Sequence, residues 1–257
     1  MQIQDIVFDD HRLFWLDDIK VGVGSMNNSF AIMSQLQRVT STLPGEQENF
    51  AARTVHPTHY GRFCPVETPE GTEIGLRKNL ALLARISTEI STSHDEVIKT
   101  LKNIGMVEES GEIDLFYNGR FIGSVNNAEE FVLNVKNERR KQNLPYEMSV
   151  KFEKTLDTIF LSSEVGRVLR PLIVVQNSSQ TLKEEHLELI KKGALKWDDL
   201  IKQGIIEYLD ASEEDDSYIA MSEEEITSEH THLEIDYIDA LGVSVSMIPF
   251  ANHNPPA

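Results

Sequence analysis

Apolar and polar positions change period several times along the chain, and each change marks a predicted element. Phe30 to Val39 (FAIMSQLQRV) sets Phe30, Met33, Leu36 and Gln37 at near-helical spacing, which predicts a helix. Thr40 to Ala52 turns polar around Pro44-Gly45 and reads as an exposed loop. His56 to Gly75 then holds Pro57, Pro65 and Pro69 with Gly61, Gly71 and Gly75. Proline fixes φ and glycine admits backbone angles that other residues resist, so this stretch predicts a compact, ordered loop and no long regular element. Leu76 to Ile86 is strongly apolar and predicts a buried strand or a short helix.

Beyond it, Asp95 to Asn103 predicts a helix closed by Gly105, and Leu115 to Val125 a hairpin turning at Asn118-Gly119. Ala128 to Lys141 places Phe131, Val132 and Val135 on one helical side and ends in Arg139, Arg140 and Lys141, cations that suit a helix C-terminus. Thr158–Leu161 and Leu172–Val175 read as strands around the turn-rich Ser162–Gly166. Two short helices follow, Lys183–Lys192 and Trp197–Lys202, joined through Gly193. Ile205–Leu209 and Ser217–Met221 read as strands on either side of the acidic Ser212–Asp216. Leu241 to Phe250 is apolar and β-rich, and stopping soon after it predicts a chain cut from something longer. Residues 1–25 show no period.

The 257 residues carry 42 acidic and 24 basic side chains, a formal net charge of −18. Such a balance weighs against a free-standing nucleic-acid-binding domain, which carries a basic face. The charge is uneven, however. Glu207 to Asp239 contains thirteen acidic residues and no Lys or Arg, whereas Arg53, Arg62, Arg77, Lys78 and Arg85 cluster in the preceding half. No apolar run reaches the ~18 residues that span a bilayer. One cysteine, Cys64, leaves no internal disulfide and no multi-cysteine zinc site, and points to a reducing, intracellular setting.

Candidate chemistry is sparse. His230, His232, Glu234 and Asp236 (HTHLEID) alternate as metal ligands on one strand face would, giving a metal-dependent hydrolase as one alternative and a polar strand face as the other. His56 and His59 flank Pro57 without a nucleophile, and Cys64 reads as a small buried side chain. Arg53, Arg62, Arg77 and Lys78 are candidates for phosphate contact or for internal salt bridges. Glu213–Asp216 and Glu223–Glu225 read as solvated acidic loops, compatible with a stand-alone acidic protein-interaction module.

HPTHYGRFCPVETPEGTEIGLRKNL, residues 56–80, closely resembles the signature HPTHWGRxCPxETPEGxNIGL of the second-largest subunit of multisubunit RNA polymerases. Four later blocks resemble the archaeal and eukaryotic type in family order: Leu115–Val125, Glu164–Val175, Glu207–Met221 and Thr231–Asn254. The resemblance runs over residues 22–257, leans archaeal, and is to a central segment of that second-largest subunit. It implies an α+β, multi-lobed fold. Residues 22–90 would form the fork region, 91–180 a small external α/β domain, 181–230 a second small external part with acidic loops, and 231–257 the β-rich start of the hybrid-binding region. Residues 1–21 stay unassigned.

That resemblance also implies a role in transcription. The fork lies over the active centre, between downstream DNA and the RNA–DNA hybrid, and Arg53 and Glu70 would belong to the wall facing the largest subunit; His56, Arg62, Arg77 and Lys78 join them as wall or nucleic-acid residues. Partners would be the largest subunit, other core subunits, template DNA and the hybrid, with no membrane, in the cytoplasm at the nucleoid. Magnesium would belong to the assembled nucleotidyltransferase, held by an Asp cluster of the largest subunit that has no counterpart here, so the chain carries no complete catalytic site. The loop LPGEQENF is acidic where several relatives carry Arg or Lys, and Asp236–Asp239 replaces a Pro-Ser-containing stretch.

Overall fold

A computed structural model describes residues 29–46, 49–88, 92–108 and 111–253. The unperiodic residues 1–25, and two positions of the loop read over Thr40–Ala52, lie outside the described residues. Helices and sheets are mixed as in an α+β chain, and the contacts divide it into two units, Met1–Ala84 with Tyr237–Ala257, and Arg85–Asp236.

In the first unit, α1 (Ser29–Leu36) stops before the strand β1 (Arg38–Thr40), which pairs antiparallel with β2 (Arg77–Asn79). The predicted helix through Val39 is therefore too long: Val39, β-branched and buried, takes its place opposite Lys78. Between the two strands come α2 (Phe50–Arg53), a 3-10 turn at Pro57–His59 and an ordered loop. The apolar stretch from Leu76 is likewise not one element. It yields β2, a turn closed by Ala84 N–H on Ala81 O, and then β3 (Arg85–Ile86) of the second unit. Leu241–Phe250, expected as a strand, is instead irregular around one 3-10 turn at Val245–Met247, and is flanked by two more at Tyr237–Ala240 and Ala251–His253. It spends its bonds on the loop: Leu82 N–H donates to Leu241 O, and Gly242 packs against Cys64 and Glu67.

Two sheets build the second unit. A four-stranded sheet has the order β5-β4-β7-β6, from β4 (Ile113–Tyr117), β5 (Arg120–Val125), β6 (Ser149–Glu153) and β7 (Thr158–Ser162), with β4 and β7 parallel. The hairpin β4–β5 turns at Asn118 (φ 49°) and Gly119 (φ 74°), both left-handed as a two-residue turn requires. Helices α3 (His94–Asn103) and α4 (Ala128–Arg140) supply Val97, Leu101, Phe131 and Val135 to a core shared with Leu115, Ile159 and Leu161. Ser93 and Glu96 cap α3 reciprocally, and Gly105 (φ 118°) ends it as expected.

The other sheet is centred on β8 (Val168–Gln176), buried over eight consecutive positions. It pairs with β3, with β9 (Ser179–Gln180), with β10 (Ile206–Leu209) and with β12 (His232–Leu233), which in turn carries β11 (Ile219–Ala220). Such an unbroken buried run is what a strand covered on both faces shows. Around it lie α5 (Glu184–Lys191), α6 (Trp197–Lys202) and the short α7 (Ala211–Glu214). The helix α7 corrects the reading of Glu213–Asp216 as a solvated loop. Glu213 is wholly buried and Glu214 grips Arg170 at 2.7 Å, while Glu223–Glu225 do stay exposed.

Candidate functional site

The loop over residues 45–80 is tied to itself by side chains reaching its own carbonyls. Asn49 caps α2 by accepting from Ala52 N–H, which fixes where Arg53 leaves the helix. The Arg53 guanidinium donates to Thr72 O and Ile74 O at 2.8 Å and to Gly45 O at 2.7 Å, joining three points of the chain. Gly75 (φ 72°) lies against the same residue so closely that a Cβ there would meet Arg53 O at 2.2 Å. Thr68 accepts from Gly75 N–H and donates to Arg77 O, both at 2.9 Å. Lys78 Nζ reaches Ala52 O at 3.1 Å, and burial lowers its pKa.

The HPTHYGRF stretch is a reciprocal cap. His56 Nδ1 accepts from Thr58 N–H at 3.3 Å, and His59 Nδ1 accepts from His56 N–H at 3.2 Å, with Pro57 at the first helical position where its missing N–H costs nothing. Burial first, then the Lys78 charge and His56, lower His59 to about 4, so its imidazole is neutral near pH 7. Arg62 is buried and donates to Thr58 O, and Cys64 is buried as expected, its Sγ accepting from Glu67 N–H at 3.4 Å. Ser34 Oγ donates to Glu67 Oε1, while Glu67 Oε2 is buried and finds no hydrogen-bond partner among the described residues.

Of the six residues singled out from the sequence, Arg53, Arg62 and Lys78 thus hold backbone carbonyls of their own loop, and Arg77 pairs with Glu73 at 2.6 Å. Glu70 and His56 are exposed. Arg53, Lys78 and Glu70 all belong to this one loop. What the arrangement does chemically is hold a backbone path; the Thr58 hydroxyl lies 2.9 Å from His56 Nδ1 as part of the reciprocal cap.

HTHLEID does not make a metal centre. His232 is buried in β12, its Nε2 3.1 Å from Glu207 Oε2, and Glu234 is buried against Arg170 at 2.5 Å. His230 turns away, with Nδ1 on Thr227 and its ring stacked on Tyr218 at 4.4 Å. Among the described residues no three His, Cys, Asp or Glu side chains converge as a metal site. The reading of this stretch as an exposed polar strand face fails for the same reason, because His232 and Glu234 face inward. Of the carboxylates behind the acidic-module reading, Glu223–Glu225 stay exposed, while Glu207, Glu213, Glu214 and Glu234 are paired with internal cations.

Those carboxylates belong to a buried ionic network that sequence reasoning missed. Ala128, Phe131, Val135 and Arg139 form one buried stripe of α4, so Arg139 carries its charge inside. It binds Glu213 through two 2.7 Å bonds and Glu207 at 3.2 Å; Arg140 holds Glu207 at 2.8 and 3.0 Å. Burial alone would raise Glu207, but Arg139, His232 and Arg140 outweigh it and hold its carboxyl well below the usual range. Arg167 with Asp210 at 2.9 Å and Arg170 with Glu214 and Glu234 extend the network. The signal in the sequence was an arginine at the next position of an apolar helical stripe, and glutamate inside the apolar IIEYL.

Comparison with known proteins matches three consecutive family models to the chain: RNA polymerase Rpb2 domain 3 over residues 25–86, domain 4 over 115–176 and domain 5 over 197–241. The chain is similar to the DNA-directed RNA polymerase subunit Rpo2 of Saccharolobus shibatae, 39% identical over 246 residues, covering 88% of this chain and 22% of the relative. It is similar to Rpo2 of Sulfolobus acidocaldarius at 38%, again over 88% of this chain and 22% of the relative. To the DNA-directed RNA polymerase III subunit RPC2 of Drosophila melanogaster it is 34% identical, over 86% of this chain and 20% of that one. The chain spans about a fifth of the length of these curated relatives.

Proposed function

Because the chain belongs to the family of second-largest RNA polymerase subunits, as a segment of archaeal type, we propose that it works as part of a DNA-directed RNA polymerase, forming the fork wall beside the active centre. The observation that carries this reading is the loop over residues 45–80, whose path Arg53, Thr68 and Lys78 fix by bonding its own carbonyls. Template-directed phosphoryl transfer depends on positioning more than on covalent chemistry, and a self-tied loop suits a wall that must not yield.

On this reading residues 22–90 are the fork, 91–180 and 181–230 two external parts, and 231–257 the start of the hybrid-binding region. The largest subunit, other core subunits, template DNA and the RNA–DNA hybrid are the partners, in the cytoplasm at the nucleoid. No helix of the described residues is long and apolar enough to cross a membrane. Magnesium would serve the assembled enzyme from ligands outside this chain. Exposed Glu70 and His56 are the side chains open to a partner or nucleic acid, and Arg53, Arg62, Arg77 and Lys78 act by holding the wall.

The test is elongation by reconstituted polymerase. Arg53→Glu should slow it by releasing Thr72 and Ile74, and Glu70→Gln should alter it without disturbing the loop. Unchanged elongation rates for both variants, in correctly assembled enzyme, would overturn the reading.

A further inference from the structure

Within the second unit, a groove of about 790 Å³ runs between the outer stripe of α4 and the segments 176–178 and 228–232. A volume of this size is in the range of ligand sites. Its ionisable lining is divided by depth. Lys136 and Arg140 are only 14% and 17% exposed, whereas the lining carboxylates Glu129, Asp216 and Glu229 are all exposed, as is Lys154. Exposed charges are screened by water and salt, so the inner cations set the potential that a bound group meets.

Lys136 is the group that asks for a ligand. The carboxylate in ion-pair range is Glu213, 3.9 Å away, and that carboxylate is already taken by two 2.7 Å bonds from Arg139 and by Val150 N–H. Among the described residues Lys136 donates no hydrogen bond. Its neighbours in the network, Arg139 and Arg140, are each hydrogen-bonded to Glu207 or Glu213, so Lys136 is the cation of this wall with the longest ion-pair distance. Beside it Leu133, 55% exposed, and Val132 give the same wall an apolar strip.

We propose that this groove binds an acidic peptide segment of a partner protein, with one carboxylate against Lys136 and an apolar neighbour on Val132 and Leu133. Charge complementarity at depth selects the anion. The apolar strip of Val132 and Leu133 has no use for a phosphate backbone and favours a peptide over nucleic acid.

The experiment is an amide NMR titration of the full chain with three probes: N-acetyl-Leu-Glu-Leu-amide, its Gln counterpart and an oligouridine RNA. The Glu peptide should shift amides of 129–140, 176–178 and 228–232 at roughly 5 mM, with the Gln peptide roughly tenfold weaker. Lys136→Gln should weaken the Glu peptide by a similar factor while leaving amides outside the groove in place. Leu133→Ser, at an exposed position, should weaken both peptides. No shifts, shifts elsewhere, equal binding of the two peptides, indifference to both substitutions, or tighter binding of the RNA would each overturn the proposal.

Discussion

Arg53 and Gly75 show how much of the loop depends on single positions. A methyl group at Gly75 would stand 2.2 Å from Arg53 O on a backbone with φ of 72°, so neither space nor conformation allows it. Gly75→Ala should lower stability by roughly 2–3 kcal/mol, read as a reduced urea midpoint, whereas Gly71→Ala meets no neighbouring atom and bears only its backbone cost. His59 makes a second prediction. With its folded pKa at about 4 against an ordinary 6.5, the unfolded chain takes up a proton that the folded one resists. The stability tied to its neutral form is therefore present above pH 6.5 and is lost as pH falls from 6.5 to 4. Carbon-detected titration of the His59 ring should give a midpoint near 4, and an ordinary midpoint would refute it. The sequence made the loop's order legible through its prolines and glycines, but not which carbonyls Arg53 would seek, since those lie 8 to 21 residues away.

Elements with a strong local signal appear where their patterns put them. Asn118-Gly119 makes the β4–β5 hairpin, and the stripe Ala128, Phe131 and Val135 makes α4, because turn chemistry and periodicity act over a few residues. Phe131→Ala should therefore cost about 3–5 kcal/mol in urea unfolding, because it empties the contact between α4 and the four-stranded sheet. Leu241–Phe250 went the other way. Its apolar alternation reads as a strand, yet its Leu241 carbonyl is claimed by Leu82 and Gly242 by close approach to Cys64 and Glu67, so 3-10 turns replace a ladder. Glu213 was misread for a related reason, since an acidic run looks solvated until its arginine, 74 residues away in sequence, is known.

For the molecule as a whole, acid should act at two levels. In the second unit Glu207 and Asp210 are held below the usual carboxylate range by their cations and hydrogen bonds against the pull of burial. Their contribution is present above the ordinary carboxylate pKa and is lost as pH falls through the depressed folded values. Acid titration followed by NMR should thus weaken the segment around His59 first and the β8 sheet later; the reverse order would refute this. Glu213→Gln, which leaves Arg139 with the longer Glu207 contact as its charged partner, should cost about 1.5–3 kcal/mol at pH 7, read by urea unfolding. The same network restricts how the chain is recombined with its relatives. Arg139 and Arg140 answer to Glu207 and Glu213, so a chimera that exchanges 128–141 without 205–216 separates charges from their owners, and a crossover between residues 141 and 205 is viable only where both parents share the pairing.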